Sequence, residues 1–233
     1  MLKKLVLFDI DGTLLTMGAI NRSVLVDALQ EVYGTPGSAN TCNFAGKMDS
    51  NIIYETMQSA GLTNAEIAEK FEPAKNTYIE MFRTQAKESD VELMEGIREL
   101  LDELSGYPEV MLGLLTGNFE GSGRHKLMLP EINHYFAFGA FADDGCHRND
   151  LPPVAVRKAY QLTGRQFSEQ EIIIIGDTEH DIVCARAVNA KSIAVATGTY
   201  STEELQKHHP HVLYENLSRT DVVLNEILQS SIN

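Results

Sequence analysis

"LVLFDIDGTLL", residues 5–15, is an apolar run that ends in two aspartates one residue apart, followed at once by Gly12 and Thr13. An unbroken run of Leu, Val and Phe suits a β-strand buried on both faces. Two carboxylates at the end of such a strand repel each other unless positive charge or a phosphate-like group lies between them. The question the stretch raises is what the remainder of the chain brings to that strand end.

Three later runs repeat its apolar character: VMLGLLT (110–116), EIIIIGD (171–177) and SIAVA (192–196). Helical patterns alternate with them, in EGIRELLDELSG (95–106), LPPVAVRKAYQLTG (151–164) and TEHDIVCARAVNA (178–190). This alternation predicts an α/β fold built on a Rossmann-like, doubly wound parallel sheet. Residues 18–87 break the rhythm. INRSVLVDALQEVYG (20–34), MDSNIIYETMQSAG (48–61) and TNAEIAEKFEPAKNTYIEMFRTQ (63–85) read as consecutive helices, with Pro73 expected to kink or divide the last. The predicted organisation is therefore a catalytic core of residues 1–16 and 88–233, with a helical domain of residues 17–87 inserted after the first strand.

At 233 residues the chain can bury a sizeable core. With 43% apolar and 22% charged residues its composition is that of a soluble globular protein, and no apolar run approaches membrane-spanning length. The formal net charge of −14 disfavours a nucleic-acid partner. The opening MLKKLVLFDI breaks at Asp9 with no small-residue cleavage site behind it, which reads as no signal peptide. Cys42, Cys146 and Cys184 form neither a disulfide framework nor a zinc motif, so a reducing, cytoplasmic setting is expected.

In open parallel sheets ligands gather at the carboxyl ends of the strands. Those ends carry Asp9 to Thr13, then Thr116-Gly117-Asn118, then Gly176 to Asp181. Asp9, Asp11, Asp177 and Asp181 would crowd carboxylates onto one edge, an arrangement that calls for a hard cation; a few oxygen ligands plus waters suit Mg²⁺. With the cluster neutralised, Asp9 can attack a phosphoryl group, and Asp11 can protonate the leaving oxygen and later activate water. The Thr116 hydroxyl with the Gly117 and Asn118 amides can bind the equatorial phosphoryl oxygens. Arg148 is the preferred positive partner because it precedes the Pro-marked start of a helix, with Lys158 and Arg157 as alternatives. Asp177 could instead cap the following helix, and Asp181 could simply face solvent. Arg124-His125-Lys126 reads as a solvated helix face, and His208, His209 and His211 as surface residues.

Taken together, DxDGT after a buried strand, TGN after the next, a basic residue before a helix, and GDxxxD after the isoleucine strand resemble the four motifs of the haloacid dehalogenase superfamily. The resemblance implies nucleophile Asp9, acid/base Asp11, phosphate-binding Thr116, a basic partner at Arg148, and Mg²⁺ held with help from Asp177 and Asp181. It further implies a metal contact from the Ile10 backbone carbonyl. Many relatives carry Lys-Pro-x-Pro at the third motif, where this chain has Arg148-Asn149-Asp150-Leu151-Pro152. The helical insert resembles the cap of phosphoglycolate phosphatase-like and β-phosphoglucomutase-like members, which closes over the site. FAGKMDSNII (44–53) resembles its substrate loop, with Lys47 available to a leaving group, although Lys47 could equally be plain surface and Asp49 or Ser50 a helix cap. Hydrolysis of a small phosphomonoester is the expected reaction, by a monomer or dimer with no membrane partner; a sugar-phosphate mutase and a non-catalytic binding protein are the alternatives.

Overall fold

A computed structural model describes residues 2–229 of the chain. Its centre is a six-stranded sheet whose order is β5-β4-β1-β6-β7-β8, where β1 is Lys4–Phe8, β4 Val110–Leu115, β5 Gly139–Ala140, β6 Ile172–Gly176, β7 Lys191–Val195 and β8 Val212–Tyr214. Every pairing in it is parallel. β1 lies between β4 and β6, so all five of its residues are buried, which is why the sequence shows a run there instead of alternation. The loops leaving β1, β4 and β6 therefore meet at one crevice.

The flanking helices follow from simple patterns. In α4 (Ile97–Ser105) Ile97, Leu100, Leu101 and Leu104 make one buried stripe. Helix α6 (Leu151–Thr163) starts with prolines in its first turn and stops at Gly164, whose φ of 67° is left-handed. The remaining helices of this layer are α5 (Glu120–Met128), α7 (Glu179–Ala187), α8 (Thr202–Gln206) and α9 (Thr220–Gln229).

The insert holds α1 (Ile20–Tyr33), α2 (Asp49–Ser59) and α3 (Asn64–Gln85). Its two connections to the sheet pair with each other: β2 (Leu15–Thr16) runs antiparallel to β3 (Glu92–Leu93). Contrary to the sequence expectation, Pro73 does not divide α3, which runs unbroken for 22 residues. Its start is fixed by a capping box, with the Thr63 amide donating to Glu66 Oε2 at 2.8 Å. Buried Ile67, Ala74, Tyr78 and Phe82 hold one face, and that packing outweighs the one backbone hydrogen bond lost at proline. The two short edge strands β5 and β8, and the β2/β3 pair, lie outside the strands read from the sequence.

Candidate active site

The turn after β1 is built by backbone hydrogen bonds. The Ile10 carbonyl accepts from the amides of Thr13 (3.3 Å), Leu14 (2.9 Å) and Leu15 (3.1 Å), and Gly12 takes a φ of 84°. Only glycine enters that region cheaply, and a side chain on Gly12 would also strike the Asp177 carboxylate. This corrects the expectation for Ile10: its carbonyl is occupied by three turn amides and is not available to a metal.

Asp9, Asp177 and Asp181 form one buried cluster, each offering a carboxylate oxygen within 4.8 Å of the others. The Arg148 guanidinium joins it, with Nη2 at 3.1 Å from Asp9 Oδ1 and 2.6 Å from Asp181 Oδ1. Nη1 donates to the Gly46 carbonyl of the insert at 3.0 Å. One guanidinium against three buried carboxylates leaves an excess of negative charge. Burial first, with the neighbouring Asp181 and Asp11, pushes Asp9 up to about 7 against the pull of Arg148. Burial and the charges of Asp9 and Asp181 raise Asp177 well above the usual carboxylate range. A small divalent cation with oxygen preference fits this donor set, and Asp177 is fixed for it between Gly12 and Gly198, where no Cβ has room.

Asp11, expected among the metal ligands, points elsewhere. Its Oδ1 accepts from Lys126 Nζ (2.8 Å) and Asn21 Nδ2 (3.1 Å), its Oδ2 from Lys126 Nζ (2.7 Å) and Asn118 Nδ2 (2.7 Å). Burial opposes its ionisation, but the charge and hydrogen bond of Lys126, with Asn118 and Asn21, hold it below the ordinary value. Lys126 is thus no solvated residue: it is 2% exposed, and the expectation from its basic surroundings is corrected. A stripe along α5 places it, because Ser122, Gly123, Lys126 and Leu127 are the buried positions of that helix at helical spacing.

Thr116 is fully buried, and its Oγ1 accepts from Asn118 Nδ2 at 2.8 Å. The segment 116–118 is held against the insert: the Asp49 amide donates to the Gly117 carbonyl (2.7 Å), and the Phe119 amide donates to Asp49 Oδ2 (2.8 Å). The α2 N-cap is Met48, so neither Asp49 nor Ser50 caps that helix; the half-buried Asp49 carboxyl spans to the sheet side, and its desolvation there raises it to about 6. Likewise Thr178, not Asp177, is the N-cap of α7, and Asp181, 2% exposed, faces the cluster and not solvent. Lys158 is tied to the Gly139 carbonyl and Asp144, apart from Asp9. Lys47 lines the cavity, but its ammonium is paired with Glu55 at 2.5 Å. Asp9, Asp11, Asp49, Thr116, Lys126, Arg148 and Asp177 line a cavity of about 450 Å³ that both the sheet edge and the insert enclose.

A model of haloacid dehalogenase-like hydrolases matches residues 6–195. The chain belongs to that family. As a haloacid dehalogenase-like hydrolase it shares 28% identity over 222 residues with a pyrophosphatase PpaX of Bacillus velezensis, covering 91% of this chain and 92% of the relative. A phosphoglycolate phosphatase of Vibrio vulnificus is 23% identical over 226 residues, covering 95% and 96%. Among solved structures, a Clostridium acetobutylicum protein described as a predicted phosphatase superposes with a TM-score of 0.72 at 22% identity, covering 98% of this chain and all of the other. That likeness establishes the fold: this hydrolase has the family's parallel sheet with a helical insert between β1 and β4.

Proposed function

We propose that the protein is a Mg²⁺-dependent phosphatase that hydrolyses a small phosphomonoester through an aspartyl-phosphate on Asp9. The observation that carries the reading is a buried carboxylate, Asp9, at a sheet edge, with an arginine at 3.1 Å, two further carboxylates beside it and a cavity of about 450 Å³ in front. Asp9, Asp177 and Asp181 would hold Mg²⁺, whose charge offsets their repulsion and that of an incoming phosphate.

An Asp9 oxygen attacks phosphorus as the ester P–O bond breaks, and the leaving oxygen takes a proton from Asp11, which must first have taken one up against the pull of Lys126. Water then displaces Asp9 from phosphorus and gives its proton to Asp11, which releases phosphate and restores both carboxyl groups. The Thr116 hydroxyl and the amides of Gly117 and Asn118 receive the phosphoryl oxygens. Arg148 keeps Asp9 oriented and offsets part of its charge.

Residues 17–87 serve as a cap over a core of 1–16 and 88–233, in which Lys47 meets the leaving group. A lid of this kind excludes polymers, which favours small metabolites over nucleic acid or protein. The three free cysteines suit a cytoplasmic setting.

Phosphate release from a panel of small phosphomonoesters, with Mg²⁺ or with chelator, tests the proposal beside Asp9→Asn. Release that requires both Mg²⁺ and Asp9 is the expected result. Undiminished turnover in Asp9→Asn would refute the nucleophile.

A further inference from the structure

Beside Asp9, the cavity holds a second polar centre around Asp11, and one member of it, Lys126, has no role in the four motifs. Lys126 Nζ contacts both oxygens of Asp11, at 2.8 and 2.7 Å, and Asn118 Oδ1 at 2.5 Å. An ammonium has three protons, and these three acceptors use them all. Asn118 then bridges onward, donating to Asp11 Oδ2 and to Thr116 Oγ1. The four residues form one connected network from the end of β4 to the turn after β1. Its far wall is apolar: Phe82 of α3, itself buried, lies 5.7 Å from the Lys126 ammonium. A buried lysine is costly unless it is fully paired, and here every pair it makes points at Asp11 or at the residue that holds Asp11.

We propose that Lys126 is a positioning residue, which fixes the Asp11 carboxyl group beside the phosphate-binding segment so that Asp11 can exchange a proton with the leaving oxygen. The role rests on the reading of Asp11 as acid/base. Without Lys126 the carboxyl keeps, among the described residues, the two side-chain amide donors Asn118 and Asn21, which sit on opposite oxygens so that neither spans both. Asp11 already has its side chain 37% exposed to the cavity, so it has room to turn away.

The consequence is selective. An alkyl phosphate needs its leaving oxygen protonated as the P–O bond breaks, whereas p-nitrophenolate departs unaided. The parameter kcat/KM reports only steps through the departure of the leaving group, so it isolates the half-reaction in which Asp11 acts as acid. Lys126→Met should lower kcat/KM for an alkyl phosphate about 100-fold, the usual scale of general acid catalysis, and for p-nitrophenyl phosphate by less than about 5-fold. Because Lys126 acts through Asp11, adding Lys126→Met to Asp11→Asn should cause no further loss. The double variant carries neither charge and so keeps the measurement available if Lys126→Met alone folds poorly; Lys126→Gln, which retains a donor, is the second single variant.

An equal loss on both esters, or additive losses in the double variant, would overturn the proposal and make Lys126 a substrate contact or a support of the fold. Asp9→Asn assayed alongside keeps the two readings apart: its inactivity speaks for the phosphatase, whereas the ratio between esters speaks for Lys126 alone.

Discussion

Arg148 offers the most direct measurement of how the charges of the site are balanced. Its guanidinium touches two carboxylates, Asp9 and Asp181, and all three side chains are less than a tenth exposed. Removing one member of such a buried set leaves uncompensated charge, which costs roughly 3–5 kcal/mol. Arg148→Met should therefore lower the unfolding free energy by up to about that amount in chelator at pH 8, and by less to the extent that Asp9, no longer drawn down by Arg148, takes up a proton. Arg148→Lys is a different perturbation. A single ammonium can sit between Asp9 and Asp181, but it lacks the fork that also reaches the Gly46 carbonyl at 3.0 Å. Its loss should be close to one hydrogen bond to a charged donor, about 2 kcal/mol, and should appear mainly as weaker docking of the insert. Urea unfolding followed by circular dichroism gives both values. Millimolar Mg²⁺ should restore part of the stability in Arg148→Met, because the bound cation takes over the neutralisation, and should do less for wild type. A loss below about 1 kcal/mol in Arg148→Met, well under the buried-pair range, would refute the view that this guanidinium offsets the carboxylates.

Two further perturbations probe the contact between insert and sheet edge. Gly117→Ala keeps the amide proposed to bind phosphate but places a Cβ over the Lys47 carbonyl and 3.0 Å from Met48 Cα. The insert must then retreat and strain both hydrogen bonds that join Asp49 to this segment, so KM should rise by about 10-fold or more, while kcat at saturation falls far less; unchanged steady-state kinetics would dismiss the contact. Asp49→Asn addresses pH. With the Asp49 carboxyl raised from 3.8 to about 6, the folded protein binds this proton more readily than the unfolded chain does. Stability from this group is therefore full below pH 4, falls as pH rises to 6 and stays low above, by roughly 3 kcal/mol at most. The asparagine variant should lack that part of the slope, so urea midpoints of wild type and variant measured at pH 4.5 and 7.5 should diverge; parallel profiles would count against a desolvated, costly carboxylate.

What the sequence makes legible here is what it repeats or what chemistry forbids elsewhere. A strand buried on both faces has to be a continuous apolar run, and β1, β4, β6 and β7 are such runs, so the sheet's centre and the carboxylates at its edge can be read directly. The edge strands cannot: β5 is two residues long and β8 is only half-buried, so neither carries a pattern that distinguishes it from loop. Pro73 misleads for a related reason. Its cost is local and fixed, while the stripe of Ile67, Ala74, Tyr78 and Phe82 that outweighs it acts over the whole of α3.

Lys126 is the more instructive case. Judged by its neighbours Arg124 and His125 it belongs to a basic surface, yet a helix turns about 100° per residue, and adjacent residues face different ways. Arg124 bends back to the Phe136 carbonyl and Asn133, whereas Lys126 shares its face with Ser122, Gly123 and Leu127. The small residues Ser122 and Gly123 bring α5 close to the turn after β1: the Gly123 position lies within van der Waals reach of Ile10 and Asn118. Only at that short range can a lysine side chain span from α5 to Asp11. The clue was therefore a lysine four residues after a serine on a face lined by small residues, beside a strand end carrying an unpaired carboxylate. Read that way, charge on a helix face next to glycine and serine points to a buried partner across the interface, and the paired acids at residues 9 and 11 acquire separate counter-charges: Arg148 for the first, Lys126 for the second.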